Sequence, residues 1–190
     1  MLIRHGETDA NQAGILIGHT DPPLNRRGQA QAREMAMLIR AAGAPDAIWA
    51  SDLKRAHETA TLIAGKMGLV ANVDQDLREA SLGIMDGKPA DSDGIQIYIE
   101  AREKDLLNHR PVAGESHVDV AVRLKRFLNT HKAKLDGRKT LIIGHAGTIR
   151  AFCHLLCGAG SDHIDFKQAP LGKSIINFDA GEAKWGMEDI

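Results

Sequence analysis

The chain has 190 residues, with 24 Lys and Arg against 25 Asp and Glu, a net charge of −1 and 43% hydrophobic residues. It is long enough to bury a core without disulfides or a structural metal, and its balanced charge excludes a general nucleic-acid binder, which needs a basic excess. The cysteines are two, Cys153 and Cys157, no run of about 18 apolar residues could span a membrane, and the first residues lack a secretory core, so a cytoplasmic protein is expected.

Leu2 and Ile3 open as a strand, which should be short because three residues precede Arg4. Asn25 to Gly43 reads as a helix, with Ala30, Met35, Leu38 and Ile39 on one side and Gly43 as its stop. Ala47 to Ala50 is a short buried strand. Leu53 to Met67 is helical, with apolar Ala56, Ala60, Ile63 and Ala64, and Gly68 ends it. Val70 to Val73 is another strand. Leu82 to Gly94 is loop-like, with Gly83, Gly87 and Pro89. Ile95 to Leu107 follows as a helix, stopped by Arg110-Pro111. Ser116 begins a helix to Leu135, and Asp119 three residues on completes a capping box. Leu141 to Ile143 is a strand and Thr148 to Leu156 a helix. Ile175 to Phe178 and Ala183 to Met187 are late strands.

This alternation predicts an α/β fold of three layers, a mostly parallel central sheet flanked by helices. We expect a single domain over residues 1–190, with a small cap insertion at about 82–113, where the alternation breaks.

Three strand ends carry the chemistry. The first gives Arg4-His5-Gly6. The second gives Ser51-Asp52, with Arg55 in the first turn of the next helix. The third gives Gly144-His145-Ala146-Gly147. Ligands of open α/β sheets bind at the carboxyl ends of strands, so neighbouring strands would bring Arg4, His5, Arg55 and His145 into one crevice. Guanidinium groups bind phosphate oxygens through charge-assisted pairs. A neutral imidazole is a nucleophile at neutral pH. The four side chains together suit phosphoryl transfer, with the cations stabilising the transferring group and a carboxylic acid protonating the leaving oxygen.

Arg4-His5-Gly6-Glu7-Thr8 resembles the signature of the histidine phosphatase superfamily, the phosphoglycerate mutase-like proteins, and specifically its small phosphatases. Further blocks follow in the family's order. They are Asn11 with Gly18-His19-Thr20-Asp21-Pro22-Pro23-Leu24, Arg27-Gly28-Gln29-Ala30, and Ser51 to Ala56 with Glu58-Thr59-Ala60. Leu77-Arg78-Glu79, Gly114-Glu115-Ser116 and Gly144 to Gly147 complete the set.

The resemblance implies that His5 becomes a phosphohistidine and that Arg4, Arg55 and His145 form the phosphate pocket. It implies Glu79 as general acid, then as base for water, and Asn11 as a further phosphate contact. Gly18, His19, Thr20 and Ala146 are its secondary substrate contacts. It implies no metal and no cofactor for this step. A catalytic Glu79 would need its pKa raised from about 4.3 by burial or by the nearby phosphate. Around Met85 and Asp86 the chain departs from the family pattern, so the leaving-group pocket is expected to differ.

The expected activity is therefore hydrolysis of a small phosphate monoester, the partner being a small phosphorylated metabolite rather than nucleic acid or membrane. Monomer and homodimer both stay open. A cofactor-dependent phosphoglycerate mutase is the alternative, though mutases carry a larger insertion than the roughly 35 residues between Glu79 and Gly114 here. A catalytically inert phosphate-binding module is a third reading.

Other signals are set aside. Gly172-Lys173-Ser174 lacks the first glycine of a P-loop, and His57-Glu58 lacks the second histidine of a zinc-protease helix. Cys153, His154 and Cys157 fit a packed helix better than a metal site. His109, His117, His131 and His163 are expected at the surface, as are Arg26 and Arg27. Asp86, Asp91, Asp93 and Glu100 are expected to solvate the cap.

Overall fold

The computed structural model describes residues 1–105, 107–157, 174–176 and 187–189. Among them six strands form one sheet: β1 (Leu2–Arg4), β2 (Ala47–Ala50), β3 (Ala71–Val73), β4 (Thr140–Gly144), β5 (Ser174–Ile176) and β6 (Met187–Asp189). Their order is β3-β2-β4-β1-β5-β6. β1 to β4 pair in parallel, whereas β5 runs antiparallel to β1, and β6 to β5. The helices are α1 (Asp9–Gln12), α2 (Arg26–Ala41), α3 (Lys54–Met67), α4 (Asp93–Lys104), α5 (His117–Leu135) and α6 (Ala146–Cys157).

Side chains alternate across a strand, so each strand feeds two cores. Ile3, Ile48, Leu141 and Ile143 face α2 and α3 through Ala32, Met35, Ile39, Ala60 and Ile63. Leu2, Trp49 and Ile142 face α5 and α6 through Leu124, Phe127, Ile149 and Phe152. The expected three layers are present, with β4 between β1 and β2.

Several boundaries differ from the sequence reading. The buried face of α2 runs through Gly28, Ala32, Met35, Ala36 and Ile39. Ala30 is exposed and Leu38 half-buried, because the register is set by Gly28. A Cβ there would lie 2.1 Å from the Glu7 carbonyl oxygen, so only glycine lets α2 abut the turn after His5. The four-residue α1 is too short to show a period, but Thr8 and Asn11 form its capping box. α6 starts two residues earlier than expected, at Ala146. β5 is described over Ser174–Ile176, and β6 over Met187–Asp189; residues 177–178 and 183–186 of those expectations lie outside the described residues.

Between β3 and α5 the chain makes two short 3-10 turns, Gln75–Leu77 and Gly83–Met85, and α4, which ends at Lys104 rather than Leu107. This excursion leaves and returns side by side. Glu115 N–H donates to the Ser81 carbonyl at 2.8 Å, and Ile84 N–H to that of Val112 at 3.1 Å. It is docked on the loop after α1, where Leu16 N–H donates to Lys88 O and Gly87 N–H to Leu16 O, at 2.9 and 2.8 Å. Among the described residues no helix is long and apolar enough to cross a membrane.

Candidate active site

The carboxyl ends of β1, β4 and β2 lie side by side, and the ladder runs one residue past each strand. His5 N–H donates to Gly144 O at 3.0 Å, and Ser51 N–H to Ile143 O at 3.2 Å. The short first strand thus still fixes His5. Its imidazole is buried, and Nδ1 lies 2.7 Å from the Gly6 carbonyl oxygen. A carbonyl only accepts, so Nδ1 carries the proton and Nε2 presents its lone pair. Thr59 steadies this turn: its Oγ1 accepts Gly6 N–H at 3.0 Å and donates to Arg55 O at 2.7 Å.

Arg55 is 0% exposed in the first turn of α3. Its Nη1 donates to Thr20 O at 2.9 Å and its Nη2 to Gly18 O at 2.8 Å. Asp86 holds that loop from the other side, accepting the N–H groups of Gly18 and Thr20 at 2.8 and 2.7 Å. Those bonds hold the Asp86 carboxyl below its ordinary pKa against the opposing effect of burial. Asp86 is therefore a loop clamp, not a solvating charge. The polar backbone of Gly18 and Thr20 is committed to Arg55 and Asp86. The His19 ring donates to Glu79 O at 2.9 Å.

His145 immediately precedes α6, and its ring centroid is 5.1 Å from that of His5. Burial, reinforced by Arg55, lowers the pKa of both imidazoles well below the usual histidine value, so both are neutral at pH 7. Among the described residues, both ring nitrogens of His145 and Nε of Arg55 are buried without a hydrogen-bond partner. Buried polar atoms are nearly always paired, so this cluster is chemically suited to an oxygen-rich anion.

Glu79 approaches from the turn after β3. Its Oε1 accepts the N–H groups of Ala80 and Thr148 at 2.8 and 3.2 Å, and its Oε2 that of Gly147 at 3.1 Å. The carboxylate thus sits on the positive end of α6. Its neighbour Arg78 forms a separate fork with Asp52, at 2.7 and 2.6 Å. Arg4, Asn11, Glu79, Ala146 and Gly147 line one part of a cavity of about 330 Å³. Ile15, Leu16, Ile17, Leu82, Tyr98 and Ile99 form its apolar wall, with His109, Glu115, His117 and Arg150 also lining it. Asn11 Oδ1 accepts from Thr8 N–H at 3.2 Å and from its hydroxyl at 3.0 Å.

Sequence reasoning placed His109 and His117 at the surface, but both line this cavity. His117 opens α5 and is buried there, and no local sequence signal marks it. His131 is also no simple surface residue, since it pairs with Asp74 at 2.7 Å and lies 4.2 Å from the Trp49 ring. Arg27 pairs with Glu7 at 3.2 Å. Cys153 is buried in the core beside α5, while the side chains of His154 and Cys157, and all of His163, lie outside the described residues. Among the described residues no group of three or more His, Cys, Asp and Glu could hold a metal ion.

Comparison with known proteins points one way. Residues 1–187 match the family profile described as the histidine phosphatase superfamily (branch 1). A protein of Yersinia pestis named "Probable phosphoglycerate mutase GpmB" is 30% identical over 188 residues, covering 97% of this chain and 86% of that one. A mycobacterial glucosyl-3-phosphoglycerate phosphatase, solved with VO3, superposes with a TM-score of 0.74 at 32% identity, over 84% of this chain and 81% of that one. The alpha-ribazole phosphatase of Shigella flexneri superposes with a TM-score of 0.81 at 26% identity, over 100% and 95%. With nearly the whole chain matched in sequence and in fold, and two histidines brought together at adjacent strand ends, the protein belongs to the histidine phosphatase superfamily.

Proposed function

We propose that this protein is a phosphatase that hydrolyses a small phosphate monoester through a phosphohistidine on His5. The observation that carries the reading is the buried cluster at the strand ends: a neutral His5 with Nε2 unprotonated, beside both ring nitrogens of His145 and Nε of Arg55, which have no hydrogen-bond partner among the described residues. Arg4, Arg55 and His145 hold the phosphoryl oxygens, and Asn11 and Ala146 add contacts at the cavity edge. Nε2 attacks phosphorus as the P–O ester bond breaks, and Glu79 gives its proton to the departing alkoxide. Oε2, with one acceptor contact, has a lone pair free for that proton. Glu79 then takes a proton from water, whose oxygen attacks phosphorus. The P–N bond breaks, leaving inorganic phosphate and neutral His5. The guanidinium groups and the helix end stabilise the charge, so no metal is required for this step.

The segment at about 82–113 acts as the cap of a single domain and supplies Leu82, Tyr98, Ile99 and His109 to the leaving-group side. Its partly apolar wall suits a small organic phosphate. The relatives' phosphatase titles and the matched signature support this reading, as does the binding of VO3, a phosphate-like oxyanion, by one of them. A location in the cytoplasm fits the low cysteine content. Likeness to a protein named as a mutase favours a second reading, phosphoryl transfer between positions of phosphoglycerate. A metabolite-wide screen with EDTA present, followed by acid-labile labelling of the enzyme, tests both. We expect phosphate release and a label lost in His5→Ala. Faster 3- to 2-phosphoglycerate interconversion than phosphate release would favour the mutase, and full activity in His5→Ala would overturn the nucleophile.

A further inference from the structure

One buried guanidinium stands behind the phosphate site, where its charge also helps to lower the His145 pKa. Arg123, on α5, is 8% exposed. Its Nη1 donates to the Asp76 carbonyl at 2.6 Å, and its Nη2 to the Glu79 carbonyl at 3.0 Å. Nε and Nη2 also reach Oε1 and Oε2 of Glu115, at 3.1 and 3.2 Å. Glu115 in turn accepts Ser81 N–H at 2.9 Å, and its own N–H donates to Ser81 O at 2.8 Å. His19 donates to the same Glu79 carbonyl at 2.9 Å. The backbone from 76 to 81 is therefore gripped by one ion pair at three residues.

That grip bears on Glu79. The hydrogen bonds to its carboxylate come from backbone N–H groups of Ala80, Gly147 and Thr148. Where the carboxylate lies thus depends on how the backbone of residue 79 is held against α6. The guanidinium fork reaches Asp76 O, Glu79 O and both Glu115 oxygens from three separate nitrogens, whereas an ammonium would have to reach them all from one. Gly114 is required beside it, since a Cβ there would lie 2.6 Å from Ser81 O.

We propose that Arg123 is a positioning residue for Glu79, with Glu115 as its fixed counter-ion. The Gly114-Glu115-Ser116 block thereby gains a role: it carries the anion that locks Arg123 against the turn bearing the acid. The proposal rests on Glu79 acting as general acid, and the test separates the two.

The test compares kcat/KM, which reports the step that forms the phosphoenzyme, for p-nitrophenyl phosphate and for an alkyl phosphate. The first has a leaving group that departs without a proton, and the second does not. Arg123→Met and Glu115→Gln should lower kcat/KM for the alkyl ester about 10–100-fold, the scale of a small misplacement of a catalytic group, and that for the aryl ester by less than about threefold. Glu79→Gln should show the same selective loss. Equal losses on both esters in Arg123→Met and Glu115→Gln, with Glu79→Gln still selective, would overturn the positioning role. A Glu79→Gln enzyme with no selectivity would instead overturn Glu79 as the acid. If Arg123→Met does not fold, Arg123→Lys and Glu115→Gln decide the question on the same pair of esters.

Discussion

Glu79 Oε2 accepts the backbone N–H of Gly147 at 3.1 Å, so the proposed acid is fastened to the helix that follows His145. Glycine at 147 leaves room for it: a Cβ there would lie 2.4 Å from Glu79 Oε1. The clash is with the far end of a side chain, which can swing away. Gly147→Ala should therefore lower kcat/KM for alkyl phosphates about 10–100-fold, with a stability change under about 1 kcal/mol, because alanine also suits the first turn of a helix. Steady-state kinetics and a thermal melt check both halves.

Thr59 ties the turn of His5, the proposed nucleophile, to α3. Thr59→Val keeps the shape and removes the acceptor of the buried Gly6 N–H. An unsatisfied buried donor costs about 1–3 kcal/mol, so urea unfolding should show a loss of that size. Activity should fall with it, and Thr59→Ser, which keeps the oxygen, should restore most of both.

Asp86 acts on Arg55 through the loop between them. Asp86→Ala leaves the N–H groups of Gly18 and Thr20 without their acceptor, and the carbonyls of the same residues then hold Arg55 less firmly. Inhibition by inorganic phosphate should weaken about tenfold, and stability should drop by about 1–3 kcal/mol. Unchanged phosphate inhibition would show that the loop holds Arg55 without Asp86.

Neutral His5 and His145 set a pH dependence. Burial and Arg55 lower both pKa values well below 6.5 in the folded protein. The unfolded chain takes up protons near the ordinary value of about 6.5, whereas the folded one takes them up only at lower pH. Their contribution is complete above about pH 6.5 and is lost as pH falls from there toward the folded values, by about 1.4 kcal/mol per histidine per pH unit. Denaturant unfolding at pH 7.5 and pH 5.5 should show this slope, and His145→Gln should remove one histidine's share. For His5, the acid limb of kcat/KM should lie below pH 6.5.

The sheet and most helices were legible because their signals are local. Asn25, Ser116 and Gly68 mark helix ends by their own chemistry, and all three do so in the structure. The convergence of Arg4, His5, Arg55 and His145 was legible only through the assumption that their strands are neighbours, which the order β2-β4-β1 supports. Arg123, Asp86 and His117 were not legible. Arg123 and Asp86 act through partners tens of residues away, and an arginine on a helix or an aspartate in a loop reads as solvated until that partner is known. Glu79 lies between these cases: the sequence marks it only by resemblance, and its seat on α6 depends on a helix start that periodicity placed two residues late.

The stem formed by residues 81–84 and 112–115 has a consequence for how such a protein can change. The chain departs and returns through paired backbone, with Gly83 so close to Val112 that a Cβ would lie 2.0 Å from its carbonyl oxygen. What lies beyond the stem starts and ends at neighbouring points, and closing a longer or shorter loop costs little, about 0.6 kcal/mol per doubling of length. The stretch from 85 to 111 can thus vary in length provided that Asp86, the docking contacts of Gly87, Lys88 and Ala90, and the bonds of Leu107 and Arg110 to α5 are kept. A new stretch there could rewrite the choice of alcohol while the strand ends keep the same phosphate.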